Sequence, residues 1–220
     1  MQIEPPAELA GMTEVTSVDA LREVVGTPIQ RVADKVMTRL EQPHREWLAA
    51  SPFLLLATSA ADGSCDVSPK GDPAGFVQVI DDTTVVMPER AGNRRVDGYL
   101  NILSNPRAGL LFMIPGRTDT LRINGRARIV SDAPFFDRMV VKGHRPVLAL
   151  VLSVEEVFFH CGKAFMRSEL WNQETWNPEH LPSRAKIAHQ MERPDQTLAE
   201  VEAYYSSSNY AQGLYPVNQE

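Results

Sequence analysis

Cysteine and long apolar runs are scarce in this sequence. Its 220 residues include only Cys65 and Cys161, and two cysteines so far apart in the chain predict neither a metal cluster nor a disulfide framework. No stretch reaches the roughly 18 to 20 apolar residues that a membrane-spanning helix needs, and no basic segment followed by an apolar run opens the chain. We therefore expect a cytoplasmic protein with no metal site and no membrane partner.

Recognisable catalytic motifs are also lacking. The sequence has no Gly-x-Ser-x-Gly nucleophile turn, no Walker motif, no His-Glu-x-x-His zinc motif and no Gly-x-Gly-x-x-Gly dinucleotide motif. The pair His160-Cys161 is weak evidence for a metal, because no further Cys or His follows at ligand spacing. The sequence therefore does not identify the catalytic residues. Its hydrophobic content of 43% is that of an ordinary globular protein.

The charge of the chain is negative overall but unevenly spread. Twenty-two basic and 28 acidic residues give a net charge of −6, which argues against non-specific binding of nucleic acid. Residues 89–128 hold eight arginines against three acidic residues, a net +5, so the rest of the chain carries −11. Since arginine offers a planar fork that suits phosphate or carboxylate, this segment favours a small anionic ligand.

The hydrophobic pattern changes from helical to strand-like near residue 51. Helices are predicted at 18–25, from Pro28 through Leu40, and from Pro43 through Leu48. Strands are predicted at 53–59, 64–68, 76–80, 83–87, 108–114, 120–130 and 147–159. Further helices are predicted at 93–103, 133–141, 162–170 and 196–205.

Hairpin connections such as Asp62-Gly63 favour an antiparallel sheet with enough strands to close a small barrel. Gly125, inside an alternating strand, suggests a bulge or a close backbone contact. We expect a mainly β fold with α-helices and a single domain overall. It comprises an N-terminal helical extension at 1–50, a β domain at 51–171 and a C-terminal helical tail at 172–220.

The segment 87–106 is the richest in groups that bind anions. A strand ends there, a loop supplies Arg90, Asn93, Arg94 and Arg95, and a helix is predicted to begin. Unpaired N–H groups at a helix start favour phosphate, and arginines add charge-assisted hydrogen bonds. The alternative is a solvated basic helix start with surface ion pairs.

Two further stretches could contact a ligand. Residues 68–72 (Ser68, Pro69, Lys70, Gly71 and Asp72) form an irregular loop whose glycine lets backbone approach a flat ring and whose lysine could reach an anion. The alternative for this stretch is a long hairpin connection.

The other stretch follows the last predicted strand. Lys163 and Arg167 are four residues apart and share one helix face, and Trp171 at the helix end could stack on a ring. The alternative for Trp171 is an ordinary packed aromatic residue.

The order of these motifs resembles the pyridoxamine-5′-phosphate-oxidase-like flavoproteins, which share an FMN-binding split β-barrel. The resemblance covers about residues 30–175. The residues that carry it are 53–59 with the Asp62-Gly63 turn, 68–72, 88–106, 121–127 (Leu-Arg-Ile-Asn-Gly-Arg-Ala) and 160–171.

The resemblance implies an antiparallel FMN-binding split barrel and a homodimer with FMN at the subunit interface. Residues 68–72 and 76–80 would run beside the isoalloxazine ring. The phosphate would be held by Arg90, Asn93, Arg94 and Arg95, with Thr120 and Arg122 nearby. Lys163, Arg167 and Trp171 match the family's C-terminal cofactor-contacting segment, which can come from the partner subunit.

One departure from the family limits the function that can be carried over. Classical pyridoxamine phosphate oxidases end in a substrate-binding segment with an arginine, whereas residues 213–220 contain none. The resemblance therefore predicts an FMN-dependent oxidoreductase acting on a small molecule, with NAD(P)H as a possible electron donor. The alternatives are a non-catalytic flavin-binding protein for storage or sensing, or a barrel that uses deazaflavin or haem.

Overall fold

The structure is a computed structural model that describes residues 10–215 and divides into two compact units, Met1–Val36 and Met37–Glu220. In the first unit, α1 (Val18–Val25) begins at Ser17, whose hydroxyl accepts a hydrogen bond from the amide of Ala20. It ends at Gly26 with a φ of 76°. These bounds confirm the sequence prediction.

The next predicted helix is much shorter than expected. Helix α2 covers only Gln30–Ala33, so the prediction that it runs through Leu40 is wrong. In the second unit, Met37 pairs with Val157 as an isolated β-bridge and the amide of Leu40 donates to the carbonyl of Asp82. Those backbone bonds to the sheet replace the bonds that a longer helix would make.

The second unit begins with α3 (Gln42–Ala50) and continues into a seven-stranded antiparallel sheet, as predicted. The strands are β1 (Phe53–Ser59), β2 (Cys65–Gly71), β3 (Gln78–Val79), β4 (Thr84–Glu89), β5 (Arg107–Met113), β6 (Thr120–Val130) and β7 (Leu148–His160). Their order across the sheet is β2-β1-β5-β6-β7-β4-β3. Within residues 10–215 no backbone pairing joins β2 to β3, so the barrel is split rather than closed.

Side chains nevertheless bring the two ends of the sheet together. The ammonium of Lys70 on β2 lies 2.6 Å from the carboxylate of Glu89 on β4. The sheet must therefore curl until its outer strands face each other. The inner surface buries apolar side chains completely, among them Leu54, Phe112 and Leu150, and this burial is the main stabilising contribution.

A bulge in the longest strand pair confirms the interpretation of Gly125. The register between β6 and β7 shifts at Asn124/Gly125. A Cβ atom on Gly125 would lie 1.9 Å from the carbonyl oxygen of Ser153. Only glycine fits this close approach of the two backbones.

The remaining helices are shorter than predicted or were not predicted. Helix α4 covers Asp97–Ser104, so the predicted start at residue 93 is wrong. A 3₁₀ helix at Phe136–Met139 replaces the longer predicted helix 133–141, and α5 covers only Lys163–Arg167. The tail contains α6 (Arg184–Met191), α7 (Leu198–Tyr204) and α8 (Ser207–Gln212), of which only α7 was predicted. None of the helices in residues 10–215 has the length and apolar character needed to cross a bilayer.

Candidate functional site

A cleft of about 710 Å³ lies between β2 and the loop that follows β4. Two stretches that are distant in sequence meet there. Ser68, Pro69, Lys70 and Gly71 form one wall, and Arg90, Asn93, Arg94 and Arg95 line the other side. The curled sheet thus brings the predicted ring-contacting stretch opposite the predicted phosphate loop.

The loop after β4 reaches over the cleft because its backbone is sharply bent. Arg94 and Val96 have positive φ angles of 64° and 50°, which side-chain-bearing residues rarely adopt. The side chain of Asn93 accepts a hydrogen bond from the amide of Arg95, and the Arg95 guanidinium pairs with Asp97 at 2.8 Å. Strained backbone of this kind concentrates at functional sites, and here it delays the start of α4 to Asp97.

Arg90 is held by the protein itself. Its guanidinium contacts the Asp72 carboxylate at 2.5 Å and the carbonyl oxygens of Met139 and His144 at 2.6 and 3.3 Å. The Asp72 side chain is only 1% exposed. Although both residues were predicted to bind cofactor, the structure pairs them with each other at the edge of the cleft.

Arg94 is different from its neighbours in the loop. Its side chain is exposed, and within residues 10–215 its guanidinium has no hydrogen bond or ion pair. Arg95, by contrast, is paired with Asp97. Arg94 is therefore the cation of this loop that can meet an incoming anion without breaking an existing bond.

Lys70 belongs to a three-residue cluster in the cleft wall. One oxygen of Glu89 accepts hydrogen bonds from the Lys70 ammonium at 2.6 Å and from the Tyr99 hydroxyl at 2.8 Å. The ammonium also lies 5.2 Å from the centre of the Tyr99 ring. The pKa of Tyr99 is raised above its usual range, mainly because the hydroxyl is buried and to a smaller extent because the Glu89 carboxylate lies beside it. Sequence reasoning missed Glu89 and Tyr99 as site residues, and no sequence pattern links either of them to Lys70.

The other predicted site residues lie outside this cleft, around the paired ends of β6 and β7. Thr120 is opposite His160, and the Arg122 guanidinium lies 4.3 Å from the centre of the Phe158 ring. The Nε atom of Arg122 is buried and, within the described chain, has no hydrogen-bond partner. The structure thus gathers the predicted residues into two groups rather than one.

Lys163, Arg167 and Trp171 belong to this second group. Lys163 and Arg167 are exposed on α5, directly after β7. The indole of Trp171 donates to the carbonyl of Arg117 at 2.7 Å and stacks on Phe165. In this chain Trp171 is therefore a packed aromatic residue, while the two cations stay open to solvent.

The cleft has the size and the cations to bind a small anionic ligand. Its volume lies in the range of roughly 300–1,000 Å³ that is typical of small-molecule sites. It offers the unpaired Arg94 guanidinium at one side and the β2 backbone with Lys70 at the other. No group of three or more His, Cys, Asp or Glu side chains in residues 10–215 is arranged to hold a metal ion.

Comparison with solved structures finds partial similarity to several proteins. HupZ from Group A Streptococcus is 21% identical, with 55% of this chain and 93% of that chain covered and a TM-score of 0.44. An FMN-binding protein from Syntrophomonas wolfei is 12% identical, and the match covers 65% of this chain and 96% of that chain with a TM-score of 0.40. An F420 reductase is 19% identical, and the match covers 55% of this chain and 98% of that chain with a TM-score of 0.40.

Sequence comparison defines the family. No curated protein matches the chain. The sequence profile described as pyridoxamine 5′-phosphate oxidase matches residues 40–161, which run from the end of the N-terminal segment through all seven strands. Because this match covers more than half of the sequence, the chain belongs to the pyridoxamine 5′-phosphate oxidase family.

Proposed function

We propose that this protein binds FMN in the cleft between β2 and the β4–α4 loop and acts as an FMN-dependent oxidoreductase on a small molecule. The observation that carries the proposal is the unpaired Arg94 guanidinium above a cleft of about 710 Å³, opposite Lys70. A phosphate on Arg94 would gain charge-assisted hydrogen bonds at no cost to existing pairs. Membership of the family supports the same ligand.

The chain's own residues would bind and orient the cofactor. Arg94 and Asn93 hold the phosphate, and the extended backbone of 68–71 runs along the ring. When bound, FMN supplies hydride or electron transfer, while the protein supplies position and electrostatics. Lys70 keeps its ammonium in the cleft wall because Glu89 holds it there. A cation at that place would stabilise negative charge that develops at the edge of the ring.

The cleft favours a flavin over haem. Haem iron needs an axial ligand such as His, Cys, Met or Tyr. Among the described residues that line the cleft there is no His, Cys or Met, and the hydroxyl of Tyr99 is bonded to Glu89. Arginine and asparagine side chains suit a phosphate instead.

We also propose a homodimer in which each protomer completes the cleft of the other. The second group of predicted site residues (Thr120, Arg122, Lys163, Arg167 and Trp171) lies away from the cleft of its own chain. The exposed cations of Lys163 and Arg167 on α5 support a role for this group towards an anion outside its own chain. The two free cysteines are exposed, which fits a reducing cytoplasm.

The first test is an absorbance spectrum of the purified protein with mass analysis of the released cofactor. FMN would give a flavin spectrum with a peak near ~450 nm and the mass of FMN. A Soret band or a deazaflavin mass would overturn the cofactor assignment. Anaerobic mixing with NADH or NADPH then tests the reaction. Bleaching of the peak followed by fast recovery with an added acceptor supports an oxidoreductase, and bound flavin that no donor reduces supports storage or sensing.

A further inference from the structure

The C-terminal tail returns to the edge of the cleft through one aromatic side chain. The hydroxyl of Tyr215 donates a hydrogen bond to the Asp72 carboxylate. Its ring stacks on His144 at 5.8 Å, and the cations of Lys142 and Arg90 lie 5.3 and 5.9 Å from its centre. We call these four residues, Asp72, Arg90, Lys142 and His144, the tyrosine seat.

The seat matches a phenol closely in chemistry. It offers a carboxylate acceptor for the hydroxyl, a flat imidazole for one side of the ring and two cations for the electron-rich face. The pKa of Tyr215 is raised, mainly by partial burial and to a smaller extent by the hydrogen bond to Asp72. The hydroxyl therefore stays protonated and acts as the donor. Phenylalanine would retain the ring contacts and lose the bond to Asp72.

The seat adjoins the cleft directly. Arg90 belongs to both, and Gly213, two residues before Tyr215, lines the cleft. The guanidinium of Arg90 is held by its ion pair with Asp72 and by hydrogen bonds to the carbonyl oxygens of Met139 and His144. The tail therefore lies at the Arg90 end of the cleft, and the groups that hold Tyr215 there are themselves held by other contacts.

We propose that Tyr215 closes this end of the cleft and determines which ligands enter it, so that the tyrosine must leave its seat before a ligand as large as FMN can pass. The ligand in this proposal rests on the proposed function above, whereas the closure rests on the contacts of Tyr215. Since a ligand binds only those molecules whose tail has left its seat, the apparent association rate equals the rate for the open protein multiplied by the open fraction.

The test compares Tyr215→Ala and Tyr215→Phe with Leu214→Ala. Leu214 is the neighbouring tail residue and is 54% exposed, so its substitution is a matched control. FMN association with each apoprotein is followed by stopped-flow flavin fluorescence. Loss of a hydrogen bond to a charged group shifts the equilibrium between the seated and the released tail about tenfold or more towards release. We expect association about tenfold faster for Tyr215→Ala, an intermediate rate for Tyr215→Phe and the wild-type rate for Leu214→Ala.

A second readout needs no FMN. Carboxypeptidase trimming of the apoproteins, followed by intact mass, measures how firmly the tail is held. Trimming past residue 213 is expected to be faster for Tyr215→Ala than for wild type or Leu214→Ala. Equal trimming in all proteins would contradict the claim that Tyr215 holds the tail in place. Faster trimming of Tyr215→Ala with an unchanged rate of FMN association would contradict the claim that the held tail controls entry to the cleft. If no variant binds FMN, the proposed function fails, and trimming alone then decides whether the latch exists.

Discussion

The ammonium nitrogen of Lys70 lies 2.6 Å from the carboxylate of Glu89, although four strands separate β2 from β4 in the sheet. Their side chains are only 18% and 16% exposed, and Tyr99 donates to the same carboxylate. This cluster joins the ends of the curled sheet and forms the cleft wall on which the proposed ring site depends.

The first prediction concerns the stability of that cluster. Glu89→Gln leaves the largely buried Lys70 ammonium without its carboxylate partner, and we expect a loss of about 3 kcal/mol in the free energy of unfolding. Urea denaturation measures it. The control is Glu155→Gln, which removes an exposed strand ion pair with Arg107 and should cost no more than about 0.5 kcal/mol. Equal losses in the two variants would contradict a structural role for the Lys70–Glu89 pair.

The second prediction separates two arginines of one loop. Arg94→Ala should weaken FMN binding about 10- to 100-fold, because charge-assisted hydrogen bonds to the phosphate are lost, while the unfolding free energy stays unchanged. Arg90→Ala should lower stability instead, since it strands the buried Asp72 carboxylate. Fluorescence titration and urea denaturation of both variants give the comparison. Wild-type FMN affinity in Arg94→Ala would remove Arg94 from the phosphate site.

The third prediction tests the bulge at Gly125. Gly125→Ala places a Cβ atom against the Ser153 carbonyl, so the β6–β7 backbones must move apart. We expect a loss of about 2 kcal/mol or more in the free energy of unfolding. Gly92→Ala is the control, because no atom lies within 4 Å of its added Cβ. A thermal or urea transition for Gly125→Ala that coincides with wild type would show that the bulge is not required.

The fourth prediction concerns pH. His44 is buried beside Phe159, and its Nδ1 accepts a hydrogen bond from the amide of Glu41. Burial lowers the pKa of His44, partly opposed by the Glu41 carboxylate. The unfolded chain therefore binds a proton at higher pH than the folded one, and stability falls as the pH drops below about 6.5.

The measurement for His44 is urea denaturation at about pH 7 and about pH 5.5. Wild type should lose more stability over this interval than His44→Asn, which has no imidazole to protonate. An identical loss in both proteins would show that His44 does not contribute to the pH dependence.

Much of the sheet could be predicted from the sequence because alternation and turn residues act locally. The bounds of β1 and β6 agree with the prediction to the residue, and the Gly125 bulge is visible as a glycine within an alternating strand. The start of α4 could not be predicted, since it depends on positive φ angles at Arg94 and Val96 that neither residue type favours. Helices α6 and α8 of the tail were missed because each contains few large apolar residues, which leaves no clear helical periodicity in the sequence.

The candidate site shows the same division. Residues 68–71 and 90–95 line one cleft, and their role in holding a cofactor stays a prediction. The expectation of an irregular loop at 68–72 is wrong, because residues 68–71 pair with β1 as part of β2. Which arginine is free and which is paired could not be predicted, because the partners of Arg90 lie 18, 49 and 54 residues away in sequence. Those contacts exist only once the sheet has curled.

The measurement that tests the central claim most directly is an equilibrium titration of the apoprotein with FMN, followed by quenching of flavin fluorescence. We predict saturable binding of one FMN per chain that Arg94→Ala weakens and Leu214→Ala leaves unchanged. Unquenched flavin fluorescence at every protein concentration, with an apoprotein that remains folded, would contradict the assignment of this cleft as an FMN site.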